Sequence, residues 1–128
     1  MSVDLRFDPE KKILYLTVKG RFTLEEFQAA MEKIARSDQY PPDTNALWDL
    51  RELDFETIDA GYWRRILEIR KKFPERHTAR LAHIVKGDFA FGMLRMYEIL
   101  SSLDKGGLEQ QVRLFKSFSE GEQWLLGK

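Results

Sequence analysis

The chain has 128 residues, of which 43% are hydrophobic and 33% charged, so we expect one folded domain over residues 1–128 rather than a disordered chain. A formal net charge of zero argues against nucleic acid as a partner, and the absence of cysteine excludes disulfides and thiolate chemistry. No segment has the ~20 apolar residues of a membrane span; the first residues also lack the apolar run of a signal peptide, so we expect a cytoplasmic protein.

Two short runs at the start of the chain predict a β-hairpin. Residues 3–7 and 13–19 are rich in residue types that favour strands. Between the two runs, Pro9 fixes the backbone of a turn, and the side chain of Asp8 is suited to accept hydrogen bonds from that turn. Gly20 ends the second strand.

A first helix is predicted by two independent signals at its start. Thr23 and Glu26 have the spacing of a capping box, in which each side chain accepts a hydrogen bond from the other residue's backbone N–H. Phe22 and Phe27 have the spacing of a hydrophobic staple. Apolar residues then recur at helical spacing, namely Leu24, Phe27, Met31 and Ile34. Pro41 and Pro42 end this segment.

The rest of the chain alternates between strands, predicted at 46–50, 80–86 and 111–115, and helices. The second helix is predicted to have Thr57 as its N-cap. Its apolar stripe is Ile58, Tyr62, Ile66, Ile69 and Phe73. Ser117 and Glu120 predict a second capping box, which opens a last helix that runs to residue 126.

The third helix is predicted to start after Asp88, as its N-cap, and to end at Gly106 and Gly107. It is apolar on nearly every side. Its longest stripe is Phe89, Met93, Met96, Leu100 and Leu103, and we expect this stripe to face the sheet.

The resulting order is β-β-α-β-α-β-α-β-α, which predicts an α/β fold. Crossover helices return the chain in the same direction, so the five-stranded sheet should be mixed and mostly parallel, with helices packed on it. The crossovers should be right-handed.

Three stretches within this order resemble the STAS domain, the fold of anti-sigma-factor antagonists and of the cytoplasmic tails of sulfate transporters. They are Leu-Trp-Asp-Leu-Arg at 47–51, Phe-Gly-Met-Leu-Arg-Met-Tyr at 91–97, and the end of the chain from Val-Arg-Leu-Phe-Lys at 112–116 to Gln-Trp-Leu at 123–125. The likeness spans nearly the whole chain. The chain is similar to a bacterial group of stand-alone STAS proteins, described as related to anti-sigma-factor antagonists or to the SEC14 lipid-binding fold. This resemblance implies a regulatory, protein-binding role.

The chain departs from that family at its phosphorylation motif. Anti-sigma-factor antagonists carry a phosphorylatable serine in Asp-Ser-Ser-Gly at the start of the second helix. Alignment on Gly61 places Asp59 and Ala60 at the two serine positions. Aspartate carries one negative charge, against about −1.5 to −2 for phosphoserine, and it cannot be switched. A kinase-controlled switch is therefore not expected.

Candidate binding residues lie where strands end, because ligands of open α/β sheets bind beyond the carboxyl ends of the strands. These candidates are Asp49, Arg51, Lys86, Asp88 and Lys116. Free backbone N–H groups at the start of the third helix favour an anion, and Arg95 lies less than two turns further on. The alternative is that Asp88 caps those N–H groups and that Arg95 pairs with Glu98.

Phe91, Leu94 and Tyr97 lie roughly on another side of the third helix from its longest stripe. Three alternatives remain open for them: packing in the core, an interface with a protein partner or a second copy, and the wall of an apolar ligand pocket. Gly92 beside them costs about 1 kcal/mol relative to alanine in a helix, which indicates close approach of another backbone.

Catalysis is not expected. His77 and His83, the two histidines, lack metal-ligand spacing, and no Ser-His-Asp grouping or phosphate loop is present. We therefore expect no enzyme activity, cofactor or metal. The first interpretation is a protein-interaction module that acts through the surface of Phe91, Leu94 and Tyr97. The alternative is a carrier or sensor of a small apolar or lipid-like acid, with Phe89 and Phe91 against its tail and Arg95 on its acid group.

Overall fold

The computed structural model describes residues 3–59, 61–76, 78–103 and 110–127. The strands are β1 (Val3–Asp8), β2 (Ile13–Gly20), β3 (Asn45–Leu53), β4 (Arg80–Ile84) and β5 (Gln111–Phe115). They form one sheet in the order β1-β2-β3-β4-β5. β1 is antiparallel to β2, and each remaining pair of neighbours is parallel. The predicted mixed, mostly parallel sheet is thereby confirmed.

The described part of the chain also contains all of the predicted helices. They are α1 (Leu24–Arg36), α2 (Tyr62–Arg70), α3 (Asp88–Leu103) and α4 (Phe118–Leu125). Short 3-10 turns at Phe55–Thr57 and Pro74–Arg76 flank α2. The predicted end of α3 at Gly106 and Gly107 lies outside the described residues.

The predicted cap of α2 is wrong. The helix begins at Tyr62 after Gly61, five residues beyond Thr57. Thr57 instead ends the 3-10 turn, and its Oγ1 donates to the backbone carbonyl of Asp54 at 2.8 Å. The hydroxyl therefore closes the preceding turn rather than satisfying an N–H group of α2.

The signals at the first hairpin and at α1 are confirmed. Asp8 Oδ1 accepts hydrogen bonds from the backbone N–H of Glu10 and of Lys11 at 3.0 and 3.1 Å. Thr23 Oγ1 accepts from the N–H of Glu26 at 3.1 Å, and Glu26 Oε1 accepts from the N–H of Thr23 at 3.0 Å. At α4, Ser117 Oγ accepts from the N–H of Glu120 at 3.2 Å, which is one of the two hydrogen bonds of the predicted second capping box.

Removal of the α1 cap should be measurable. We expect Thr23→Ala to lower the free energy of unfolding by about 1 kcal/mol, because the N–H of Glu26 loses its acceptor. Thr57→Ala is the matched control, since its exposed hydroxyl caps no α-helix, and we expect a smaller loss. Urea unfolding of both variants tests this, and equal losses would contradict the role of Thr23.

The two faces of the sheet carry different numbers of helices. Successive residues of a strand point to opposite faces, so Leu14 and Ile13 lie on different sides. Leu14 packs in the core cluster that contains buried residues of α1, α2 and α3. Ile13 packs in a smaller cluster with residues of α4. Gly121 lets α4 lie close to the sheet, because a Cβ there would stand 2.5 Å from Cδ1 of Ile84.

Candidate functional site

Asp49 is the middle residue of β3, and Arg51, two residues nearer the carboxyl end, pairs with it. Arg51 Nε donates to Asp49 Oδ1 at 2.9 Å, and an Arg51 terminal nitrogen donates to Asp49 Oδ2 at 2.7 Å. Burial raises the pKa of Asp49, but the hydrogen bonds and charge of Arg51 outweigh burial and leave that pKa below its ordinary value. The Arg51 guanidinium also lies 5.7 Å from the centre of the Phe118 ring of α4. Asp49 and Arg51 thus satisfy each other's charge and hydrogen-bonding groups, and Arg51 helps to hold α4 in place.

The start of α3 also differs from its prediction. Asp88 is the first residue of the helix rather than a cap before it. Its carboxylate accepts a hydrogen bond from Lys116 Nζ at 3.0 Å. The same ammonium lies 5.0 Å from the centre of the Phe91 ring, so Lys116 connects β5 to the first turn of α3. Lys86 is exposed just before this turn.

Arg95 is engaged within its own helix. An Arg95 terminal nitrogen donates to Glu98 Oε1 at 2.7 Å, which is the predicted alternative to anion binding. Phe89 is 66% exposed and therefore forms no enclosed wall near this cation. The geometry gives no support to a carrier site built from Phe89, Phe91 and Arg95.

The side of α3 that was predicted to face the sheet is the wrong one. Leu94 and Tyr97, proposed above as a contact surface, are 1% and 0% exposed and pack in the main core. Ala90 and Ser101 complete the buried side of the helix. Phe91 is partly buried against the same core. The core-packing alternative is therefore correct for Leu94 and Tyr97, and they present no surface to a partner.

The stripe predicted to face the sheet instead contains the exposed residues. Phe89, Met96 and Leu103 are 66%, 54% and 67% exposed, and Ile99 is 46% exposed. Met93 and Leu100 are partly buried at the edge of the core. Gly92 is exposed, and a Cβ built on it would meet nothing within 4 Å, so no backbone in the described part of the chain makes the predicted close approach to it. We define the α3 seam as Phe89, Gly92, Met96, Ile99 and Leu103.

The region that aligns with the phosphorylation motif forms a turn before α2. Asp59 Oδ1 accepts from the N–H of Gly61 at 2.9 Å, and its other carboxylate oxygen lies 3.5 Å from a terminal nitrogen of Arg65. Ala60 lies outside the described residues. Asp59 thus already has backbone and cationic partners.

A buried polar cluster at Arg70 was not predicted from the sequence. Arg70 is 3% exposed; one of its terminal nitrogens donates to Tyr97 Oη at 2.7 Å, and the other lies 3.3 Å from His83 Nε2. Burial, and then the charge of Arg70, lower the pKa of His83 well below its ordinary value. His83 is therefore neutral, and its Nε2 accepts. Arg70 follows Trp63 and Ile66 at helical spacing, which is the sequence signal for a buried cation.

A second unpredicted cluster lies on the α4 face of the sheet. Tyr15 Oη donates to Glu122 Oε2, and Lys11 Nζ lies 3.4 Å from the same oxygen. The hydrogen bond from Tyr15 is the main cause that lowers the pKa of Glu122. Burial and the bond to Glu122 raise the pKa of Tyr15. Arg6 covers the Tyr15 ring at 4.2 Å, so this cluster links the first hairpin to α4.

Two kinds of site are not found in the described ranges. No group of three or more histidine, aspartate or glutamate side chains there is arranged to hold a metal ion. No helix in those ranges is long and apolar enough to cross a membrane. His77 lies outside them.

Comparison with known proteins identifies the fold. No family model and no curated protein matches this chain. Among solved structures, the chain is similar to the crystal structure of an uncharacterized protein of the DUF3478 family with a SpoIIAA-like fold, from Shewanella loihica PV-4. The superposition has a TM-score of 0.64 at 17% identity and covers 96% of this chain and 91% of that one. This chain therefore has a SpoIIAA-like fold, the STAS-type architecture that the sequence resemblance implied.

Proposed function

We propose that this protein is a non-catalytic binding module that pairs with a second copy of itself through the α3 seam. The observation that carries the proposal is the exposure of four large apolar side chains on a single helix face. Phe89, Met96, Ile99 and Leu103 are each between 46% and 67% exposed. A contiguous apolar patch on a protein surface is typical of a binding site, whereas single exposed apolar residues are common.

The spacing of the α3 seam favours a helix as the occupant. Its residues follow one another at intervals of three, four, three and four, which is the a and d pattern of a coiled coil. The buried residues of α3, such as Leu94 and Tyr97, lie on the opposite side of the helix. In the described part of the chain nothing covers the seam, so it can receive a second helix while the core face stays packed.

Gly92 favours a second copy in an antiparallel arrangement. When two copies of α3 pair antiparallel, a positions face d positions, so Gly92 lies opposite Met96 or Leu103 of the partner, depending on the register. A large side chain then occupies the space that the missing Cβ leaves on each helix. In a parallel pair the two glycines face each other and leave a gap. A twofold pair is also the commonest form of soluble oligomer.

The first experiment is native mass spectrometry of the wild type and two matched variants. Met96→Asp places a charge in the centre of the α3 seam, while Ala35→Asp places the same charge on the exposed side of α1. We expect the wild type and Ala35→Asp to be dimeric at micromolar concentration and Met96→Asp to be monomeric. Thermal unfolding of the monomeric variant should stay cooperative, because Met96 contributes little to the core.

A wild type that stays monomeric at high concentration would contradict self-association, and a dimer unaffected by Met96→Asp would place the interface elsewhere. The orientation is tested by Phe89→Cys, since the chain has no cysteine of its own. In an antiparallel pair the two copies of residue 89 are at least about 15 Å apart along the axis, so no disulfide forms. Rapid crosslinking would show a parallel pair.

A further inference from the structure

One side of α2 carries a full positive charge into the main core. Arg70 stands at the end of the run Trp63, Ile66 and Arg70, which shares one helix face. Only 3% of Arg70 is exposed, and its terminal nitrogens contact Tyr97 Oη and His83 Nε2 at 2.7 and 3.3 Å. Both contacts are to neutral groups, because Tyr97 is a phenol and burial keeps His83 uncharged.

No carboxylate in the described ranges lies within ion-pair distance of Arg70. Three aromatic rings surround its guanidinium instead, with centres at 5.3 Å for Phe27 and 5.4 Å for Trp48 and Tyr97. The negative faces of such rings attract a cation, and they do so more strongly when the cation is desolvated. They do not neutralise its charge, and an uncompensated charge in a protein core is strongly destabilising.

A small cavity lies beside this charge, between α1, α2 and the sheet. Its volume is about 10 Å³, which is close to the least that one water molecule or an ion of similar size needs. Arg70 and His83 are its two basic residues. The other lining residues are apolar or aromatic: Phe22, Phe27, Trp48, Leu50, Leu53, Tyr62, Trp63 and Ile66.

The groups around the cavity supply more hydrogen-bond donors than acceptors. A guanidinium has five N–H groups, and the described side chains provide acceptors for two of those of Arg70. Trp63 Nε1, on another lining residue, is buried and has no hydrogen-bond partner in the described part of the chain. A buried N–H without an acceptor destabilises the folded protein.

An anion matches this environment better than water does. A water molecule accepts hydrogen bonds but adds two donors of its own, and it leaves the charge of Arg70 unbalanced. A monatomic anion only accepts, and its charge offsets that of the guanidinium where the low dielectric strengthens the attraction.

We propose that this cavity is a binding site for one small monovalent anion of halide size, held by Arg70 and by the indole N–H of Trp63. The site lies on the opposite side of α3 from the seam, so it does not depend on self-association.

The test measures the stability of the whole chain in sodium chloride against sodium gluconate at constant ionic strength. Gluconate is too large for the cavity and serves as the inert anion. Above the dissociation constant, each tenfold rise in chloride should lower the unfolding equilibrium constant of the wild type about tenfold. Arg70→Met should remove this dependence, and Trp63→Phe, which keeps the ring but not the N–H, should require more chloride for the same shift.

Arg64→Met is the matched control, because Arg64 is an exposed arginine of the same helix, and it should respond as the wild type does. Equal wild-type stability in both salts would overturn the proposal, as would an unchanged chloride response in Arg70→Met. If Arg70→Met does not fold, a bromide-soaked crystal of the wild type decides. An anomalous peak within hydrogen-bond distance of Arg70 and Trp63 Nε1 supports the site, and a cavity without one refutes it.

Discussion

Replacement of Leu94 by alanine is expected to lower the free energy of unfolding by about 3 kcal/mol, whereas Met96→Ala should change it by less than about 0.5 kcal/mol. The two residues are neighbours on α3, but Leu94 is 1% exposed and Met96 is 54% exposed. Truncation of Leu94 leaves a cavity in the main core. Truncation of Met96 shortens a side chain that lies mostly in solvent, so it leaves no such cavity. Urea unfolding should be measured on dilute protein, so that self-association does not contribute.

This pair of variants decides how α3 is rotated on the sheet. If the longest apolar stripe of the helix faced the sheet, Met96→Ala would be the costly change and Leu94→Ala the mild one. Equal costs would mean that both sides of α3 are buried, which would also contradict an exposed seam. Met93→Ala provides an intermediate case, because Met93 is partly buried at the edge of the core.

The rotation of α3 about its own axis could not be predicted from the local sequence, for a physical reason. Both sides of the helix offer an apolar stripe, and the side with more and larger apolar residues was predicted to be the core. The structure buries the side with Ala90, Leu94, Tyr97 and Ser101, which contains two small residues and two hydroxyls. Small residues allow α3 to lie close to its neighbours.

A long-range contact supports this choice of side. The Tyr97 hydroxyl reaches Arg70 on α2, 27 residues earlier in the chain. Rotation that buried Phe89 and Met96 would carry Tyr97 out of the core and leave Arg70 without that partner. A pattern of apolar residues within one helix contains no information about such a bond.

Elements whose signals are local were predicted well. The turn at Asp8, the capping box of Thr23 and Glu26, and the strand 111–115 depend on residues within a few positions of each other. The alternation of strands and helices then determined the parallel part of the sheet. Thr57 shows the limit of such signals, because its hydroxyl closes a separate 3-10 turn and α2 begins only at Tyr62.

The candidate site was predicted less well than the fold. Asp49, Arg51 and Asp88 were selected because they were predicted to lie at strand ends, where ligands of α/β sheets bind, and Arg95 because it is near the start of the third helix. The structure gives each of them an ionic partner from the chain itself. Spacing along a sequence does not show whether two opposite charges satisfy each other, so ion pairs and ligand sites look alike at that level.

The largest pH effect is expected from His83. Its native pKa lies well below the ordinary value of 6.5, because the ring is buried and faces Arg70. Below about pH 6.5 the unfolded chain therefore binds a proton that the native protein does not bind, and stability falls as the pH falls. One such group gives a slope of about 1.4 kcal/mol per pH unit, or about 2 kcal/mol between pH 6.5 and 5.

Urea unfolding at fixed chloride between pH 7.5 and 5 measures this slope, and two variants assign it. His83→Gln keeps an acceptor for Arg70 but does not titrate, so its slope should be smaller by about 1.4 kcal/mol per pH unit. His77→Gln removes the chain's other histidine and should leave the slope in place. Glu122 also makes the protein less stable as the pH falls, because its native pKa is lowered. That loss of stability occurs below the ordinary glutamate pKa of 4.5, which is outside the measured range. A slope that survives His83→Gln would mean that His83 is protonated in the native core, and the charge balance proposed around Arg70 would then be wrong.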